Sequence, residues 1–147
     1  MRNTTSRPEK EHILVCLSSS PSNERIVRMA GTMAQAFCGS FTALYVQTPE
    51  DAAMSAEDTL RLQANIRLAQ HLGAEIVTMH SEDVPTQITE YARLSGVTKI
   101  VIGRSGVQRR HFWSEPTLTE RLIALAPEVE IHIIPDAEVC KSFHRKR

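Results

Sequence analysis

A chain of 147 residues fits one domain better than two, and folding at this size removes about two-thirds of the unfolded surface from water. With 41% apolar and 23% charged residues, the composition excludes a disordered chain and a membrane bundle. The 17 Lys and Arg balance the 17 Asp and Glu, which excludes a globally basic nucleic-acid binder, and no nucleic-acid partner is expected.

Residues 1–10 are polar, lack the apolar centre of a secretory leader, and read as a flexible N-terminal segment. His12 to Leu17 (HILVCL) is an apolar run bounded by Ser18-Ser19-Ser20-Pro21, the pattern of a buried strand. Ser20-Pro21 reads as a helix start, because a serine hydroxyl accepts orphan N–H bonds and proline suits the first turn. Ile26, Val27, Ala30, Met33, Ala34 and Phe37 recur at helical spacing up to Gly39, where that helix is expected to end. Phe41 to Val46 (FTALYV) is the second strand, closed by Thr48-Pro49. A helix from about Ser55 to Leu72 carries Leu60, Ile66, Leu68, Ala69 and Leu72 on its apolar side and stops at Gly73. Glu75 to Met79 is the third strand. Asp83 then caps a helix with Val84, Ile88, Tyr91 and Leu94, ended by Gly96. Lys99 to Ile102 (KIVI) runs into Gly103, Thr117 to Leu125 is a short helix, and Glu130 to Ile134 (EIHII) is the fifth strand before Pro135. Residues 137–147 end in His144-Arg145-Lys146-Arg147 and read as a basic tail or linker.

Five short strands alternating with helices define an α/β domain over residues 11–136, with a mainly parallel sheet covered on both faces. The three cysteines (Cys16, Cys38 and Cys140) cannot all pair and show no metal-ligand spacing; Cys16 and Cys38 read as buried thiols of a reducing compartment. No apolar stretch approaches the ~20 residues of a spanning helix, so a soluble intracellular domain is expected.

In an open α/β sheet ligands bind beyond the carboxyl ends of the strands. Three segments fall there: Ser18-Ser19-Ser20, Tyr45-Val46-Gln47, and Gly103-Arg104-Ser105-Gly106. The glycines permit close backbone approach, and successive N–H groups cradle anions. Arg109, Arg110, His111 and Trp113 follow, then Pro116-Thr117 at a helix start, where guanidinium forks and helix polarity suit phosphate. Each segment also has a plain structural reading: a helix cap for the serines, a turn for the glycines, a solvated loop for the arginines, and core for Phe41 and Tyr45. No H-E-x-x-H, C-x-x-C, G-x-S-x-G or complete Walker motif is present, and nothing assembles a nucleophile with its base. A binding module fits better than an enzyme.

The element order and motifs together resemble the universal stress protein family from His12 to about Asp136. Nucleotide-binding members of that family carry G-x2-G-x9-G-(S/T) after the fourth strand and an aspartate after the first. Gly103 and Gly106 match two of the glycines and Thr117 the hydroxyl residue. Pro116 replaces the third glycine, and Ser18 stands near the aspartate position, which counts against ATP. The phrases HILVCLSSSPSNERIVRMA, FTALYVQTPE and VTKIVIGRS are similar to the universal-stress-protein-like domain of KdpD-type osmosensitive potassium-sensor histidine kinases.

That resemblance implies an open five-stranded parallel sheet of order 3-2-1-4-5 with helices on both faces. It also implies a cytoplasmic regulatory domain of a membrane-anchored two-component kinase in potassium homeostasis, itself no enzyme and needing no cofactor. Some such domains recognise cyclic di-AMP through S-x-S, twenty residues, then F-T-A-x-Y. Ser18-Ser19-Ser20, residues 21–40, and Phe41-Thr42-Ala43-Leu44-Tyr45 meet that pattern at every position. The ligand candidates it implies are Ser18, Ser20, Phe41, Thr42, Ala43 and Tyr45. Gly103, Arg104, Ser105, Arg109 and Arg110 join them as candidates for holding phosphate. Cyclic di-AMP stands ahead of ATP as the expected ligand. The alternative is a ligand-free module that docks other domains of the kinase or another universal stress protein, with a homodimer through the last strand.

Overall fold

The computed structural model describes residues 10–104 and 116–135. Strands β1 (His12–Cys16), β2 (Ser40–Gln47), β3 (Glu75–His80), β4 (Lys99–Gly103) and β5 (Glu130–Ile134) form one sheet in the order β3-β2-β1-β4-β5. Every pairing is parallel, with Val15 opposite both Ala43 and Val101. The helices are α1 (Asn23–Ala36), α2 (Ala56–His71), α3 (Val84–Ser95) and α4 (Leu118–Leu125). The expected class and strand order therefore hold.

Alternation along the strands splits the core in two. Ile13, Val15, Phe41 and Ala43 face Val27, Ala30 and Ala34 of α1 and Leu62 and Ala69 of α2. Leu14, Leu44, Ile100 and Ile102 face Ile88 and Ala92 of α3 and Leu122 of α4. Each fully buried Ile or Leu of this set contributes about 1.5–3 kcal/mol. Strands buried on both sides explain why HILVC and KIVIG read as continuous apolar runs.

Most expected boundaries hold. Ser55, Asp83 and Thr117 accept first-turn N–H bonds at the starts of α2, α3 and α4, and Gly73 (φ 96°) and Gly96 (φ 69°) take left-handed conformations after α2 and α3. Thr117 and Glu120 form a reciprocal capping box. The ends of α1 differ from expectation. Ser20 is not its cap: the Ser20 hydroxyl accepts the Ser22 N–H and the Ser20 carbonyl accepts the Asn23 N–H, so Ser20-Pro21 form a turn before the helix. At the other end Cys38, not Gly39, adopts the left-handed conformation, with φ 52°. Gly39 is needed for space, since a Cβ there would lie 2.4 Å from the Glu11 carbonyl oxygen. Cys38 is exposed, which corrects its reading as a buried thiol; Cys16 is half-buried at the crevice wall, and desolvation pushes its thiol up to about 12. Leu60 and Leu94 also point outward, each two positions from the nearest buried residue of its helix, Leu62 and Ala92.

At the amino end of the sheet Lys99, only 5% exposed, ties three strand starts together. Its ammonium lies 3.0 Å from Glu11 and 3.2 Å from Glu130, with the Phe37 ring centroid at 4.8 Å. Among the described residues no helix is long and apolar enough to cross a membrane, and no group of His, Cys, Asp and Glu is placed to hold a metal ion.

Candidate functional site

The chain runs from β1 outward to β2 and β3, then returns to the other side of β1 for β4 and β5. The strand order therefore reverses between β1 and β4, where an open α/β sheet leaves a crevice beyond its carboxyl ends. A cavity of ≈ 370 Å³ lies there, lined by Cys16 to Ser18, Ser20, Ser22, Asn23, Ile26, Leu44, Val46, Val84, Ile88, Ile102, Gly103, Thr117 and Leu118. Its wall is mainly apolar, with Ser18, Ser20, Ser22, Asn23 and Thr117 as its polar residues. Small-ligand pockets are built this way, with apolar contact for affinity and placed polar atoms for orientation.

The serine loop between β1 and α1 is held from two helices. Asn23, buried at the start of α1, donates from Nδ2 to the Cys16 carbonyl (3.0 Å) and accepts the Ser18 N–H at Oδ1 (3.2 Å). Asn65, buried on α2, donates to the Ser18 carbonyl at 2.9 Å. Arg61, one turn earlier, donates to the Ser19 carbonyl at 3.2 Å and is itself fixed by Asp58 (2.9 Å) and Glu57 (3.3 Å). Within the loop the Ser20 N–H donates to the Ser18 hydroxyl (3.2 Å), and the Ser20 and Ser22 hydroxyls lie 2.9 Å apart. Ser22, the residue before α1, makes no side-chain cap, so the positive end of that helix also borders the crevice. At Gly103 a Cβ would come within 2.5 Å of Ile26 Cδ1, which is how closely α1 packs on the end of β4.

Of the residues singled out from the sequence, the structure brings Ser18, Ser20 and Gly103 together in this crevice. Arg104 follows β4 directly and is exposed. Ser105, Arg109 and Arg110 lie outside the described residues, as do Gly106, His111, Trp113, Cys140 and the basic tail. The F-T-A-x-Y side chains do not line the crevice. Phe41 and Ala43 are buried in the core beneath α1 and α2. Thr42 is buried with its hydroxyl 2.8 Å from His12 Nε2. Tyr45 donates its hydroxyl to Asp51 (2.6 Å), which also accepts the Thr48 N–H (3.0 Å), and so fastens the 3-10 turn Pro49–Ala53 to β2. Burial, then the Asp51 carboxylate, raise the pKa of that phenol.

The residues of β2 that do reach the crevice, Leu44 and Val46, lie on the opposite parity to Phe41, Ala43 and Tyr45. Alternation in FTALYV carried that signal. Asn65 carried another: it occupies the buried stripe Leu62, Asn65, Ala69, where a polar residue has to find a partner.

The model of the universal stress protein family matches residues 10–127. The chain is 35% identical to the sensor protein KdpD of Clostridium acetobutylicum over 130 residues, covering 86% of this chain and 14% of that one. It is 30% identical to KdpD of Escherichia coli over 121 residues, covering 82% of this chain and 13% of that one. It thus spans about one-seventh of the length of these relatives. Among solved structures, a universal stress protein in complex with cAMP superposes with a TM-score of 0.68 at 17% identity, covering 87% of this chain and 98% of that one. The family match across most of the chain, together with the 3-2-1-4-5 sheet, shows that this chain belongs to the universal stress protein family.

Proposed function

We propose that the crevice binds a nucleotide second messenger, cyclic di-AMP, and that the domain is a cytoplasmic regulatory input of a potassium-responsive sensor histidine kinase rather than an enzyme. One observation carries the reading: the two serines of the S-x-S motif, Ser18 and Ser20, border the crevice at the point where strand order reverses. One adenine packs on the apolar wall of Leu44, Val46, Ile88 and Ile102, and the phosphodiester oxygens meet the serine loop. Hydrogen bonds to a charged group contribute about 1.5–3 kcal/mol each. Two or three of them with the ring burial offset an association cost of at least ~4 kcal/mol and support micromolar affinity. The F-T-A-x-Y segment backs the crevice, its Phe41 and Ala43 setting the position of β2 and its Tyr45 anchoring the turn that follows. The similarity to KdpD proteins and the cAMP-bound relative in the same fold support a nucleotide-binding regulatory role.

Calorimetric titration tests the proposal. Cyclic di-AMP is expected to bind in the micromolar range and to outcompete ATP, and Ser20→Ala is expected to weaken it with little change in melting temperature. No heat at hundreds of micromolar ligand on folded protein overturns the reading. A second reading, docking of another universal stress protein or a second copy, draws on β5, which among the described residues has β4 as its sole strand neighbour and leaves Ile133 43% exposed. Light scattering of the free domain separates a monomer from such a dimer.

A further inference from the structure

We infer that α2 is a positioning element of this crevice: Asn65 and Arg61 occupy the Ser18 and Ser19 carbonyls of the serine loop, so that it offers donors inward and selects ligands bearing anionic oxygens. The inference rests on the nucleotide reading above and assigns a role to residues that no sequence motif marks. The carbonyl inventory carries it. Four carbonyls of the connection are engaged: Cys16 O by Asn23 Nδ2, Ser18 O by Asn65 Nδ2, Ser19 O by Arg61 Nη1 and Ser20 O by the Asn23 N–H. With those acceptors engaged, Ser18, Ser20 and Ser22 are the serines that line the crevice, and the Ser18 hydroxyl, which accepts the Ser20 N–H, keeps its own proton to donate. A hydroxyl pairs well with phosphate oxygen, and it does so at least ordering cost when the main chain beneath it is already fixed.

Two of the anchors are buried asparagines, and a buried amide held at both ends of a connection fixes that connection's geometry. Arg61 adds a guanidinium beside the loop. Its own orientation is set by Asp58 and Glu57, so it stays on the Ser19 carbonyl. Arg61 does not line the cavity and acts through the loop.

The decisive variant is Arg61→Gln, because Arg61 is partly exposed and its loss spares the core; Arg61→Lys restores a single donor. Wild type and both variants are titrated with cyclic di-AMP and with adenosine, and amide hydrogen exchange of Ser18 to Ser22 is followed without ligand. Arg61→Gln is expected to lose about tenfold in affinity for cyclic di-AMP, with adenosine affinity unchanged and loop amides exchanging faster, and Arg61→Lys to fall between. Equal losses for both ligands, or unchanged cyclic di-AMP affinity, overturn the inference. If wild type binds neither ligand, the nucleotide reading falls by itself. The exchange data then decide the positioning role: faster loop exchange in Arg61→Gln supports it and unchanged exchange overturns it.

Discussion

Asn23→Ala probes the junction between fold and site most directly. The side chain is 3% exposed and makes two hydrogen bonds, to the Cys16 carbonyl and from the Ser18 N–H, so a methyl group abandons both partners at once. A hydrogen bond contributes about 1 kcal/mol net, and a buried group left unpaired costs about 1–3 kcal/mol. Two lost bonds therefore cost at least ~2 kcal/mol, and up to ~6 kcal/mol if both orphans stay dry. Ser18 borders the open crevice, so water recovers part of its side. Alanine also gains about 0.5 kcal/mol of helix propensity over asparagine. The expected loss is about 2 kcal/mol, or ~4–8 °C in melting temperature for a chain of this size. Urea unfolding followed by circular dichroism measures it, with the m-value as control. Asn23→Asp keeps the acceptor for Ser18 but sets a carboxylate against the Cys16 carbonyl. It should be less stable than Asn23→Ala at pH 7 and recover as acid protonates it. An Asn23→Ala variant within 0.5 kcal/mol of wild type at constant m would refute the bond-by-bond reasoning.

Three further outcomes follow from the same structure. The Thr98 hydroxyl and then Lys99 hold Glu11 below the usual carboxylate range, Lys99 and then His132 do so for Glu130, and Glu11 above all raises Lys99. The carboxylate contribution is thus complete above their unfolded values near pH 4.3 and lost as pH falls through the lowered ones. The lysine contribution is complete below ~10.4 and lost as pH rises through its raised value, so the contribution of this cluster plateaus between these limits; Lys99→Met should flatten the part of both limbs that the cluster supplies in pH-dependent melts. In a Cys140→Ser background an aromatic disulfide reagent at pH 8 should titrate Cys38 in folded protein and Cys16 only after denaturation, because burial pushes the Cys16 thiol up to about 12. Gly39→Ala drives a methyl group against the Glu11 main chain and should cost ~2–3 kcal/mol, whereas Gly103→Ala meets only the movable tip of Ile26 and should cost about 1 kcal/mol, as paired urea titrations would show.

The fold was legible because local and long-range signals agree. Ile13 to Val15 and Ile100 to Ile102 need no partner information to read as doubly covered strands, and Asp83, Gly96 and Thr117 bracket their helices by side-chain chemistry alone. The end of α1 was not legible. Gly39 looks like a helix stop, yet the residue that turns left-handed is Cys38, and the need for glycine one position later comes from Glu11, a contact made across 28 residues of chain. Leu60 failed for a related reason: periodicity says that α2 is amphipathic, and only the docked helix shows which edge of the stripe stays wet.

The site was legible in its hydroxyls and not in its walls. A motif written as residue identities mixes both parities of a strand, so F-T-A-x-Y combines side chains that cannot share one surface. Phe41, Ala43 and Tyr45 turn toward α1 and α2, while Leu44 and Val46 turn toward the crevice. Such a motif can mark a binding domain faithfully even where its side chains serve the support, because Phe41 and Ala43 fix the depth of β2 and hence of its alternate residues. The same logic applies to Asn65 and Arg61, which stand 47 and 42 residues along the chain from the carbonyls they hold. Pairing at that separation leaves no local spacing to read. What the sequence does retain is the anomaly, an amide where helix period demands a hydrocarbon, and in a doubly covered sheet an anomaly of that kind points to a loop that has to be held still.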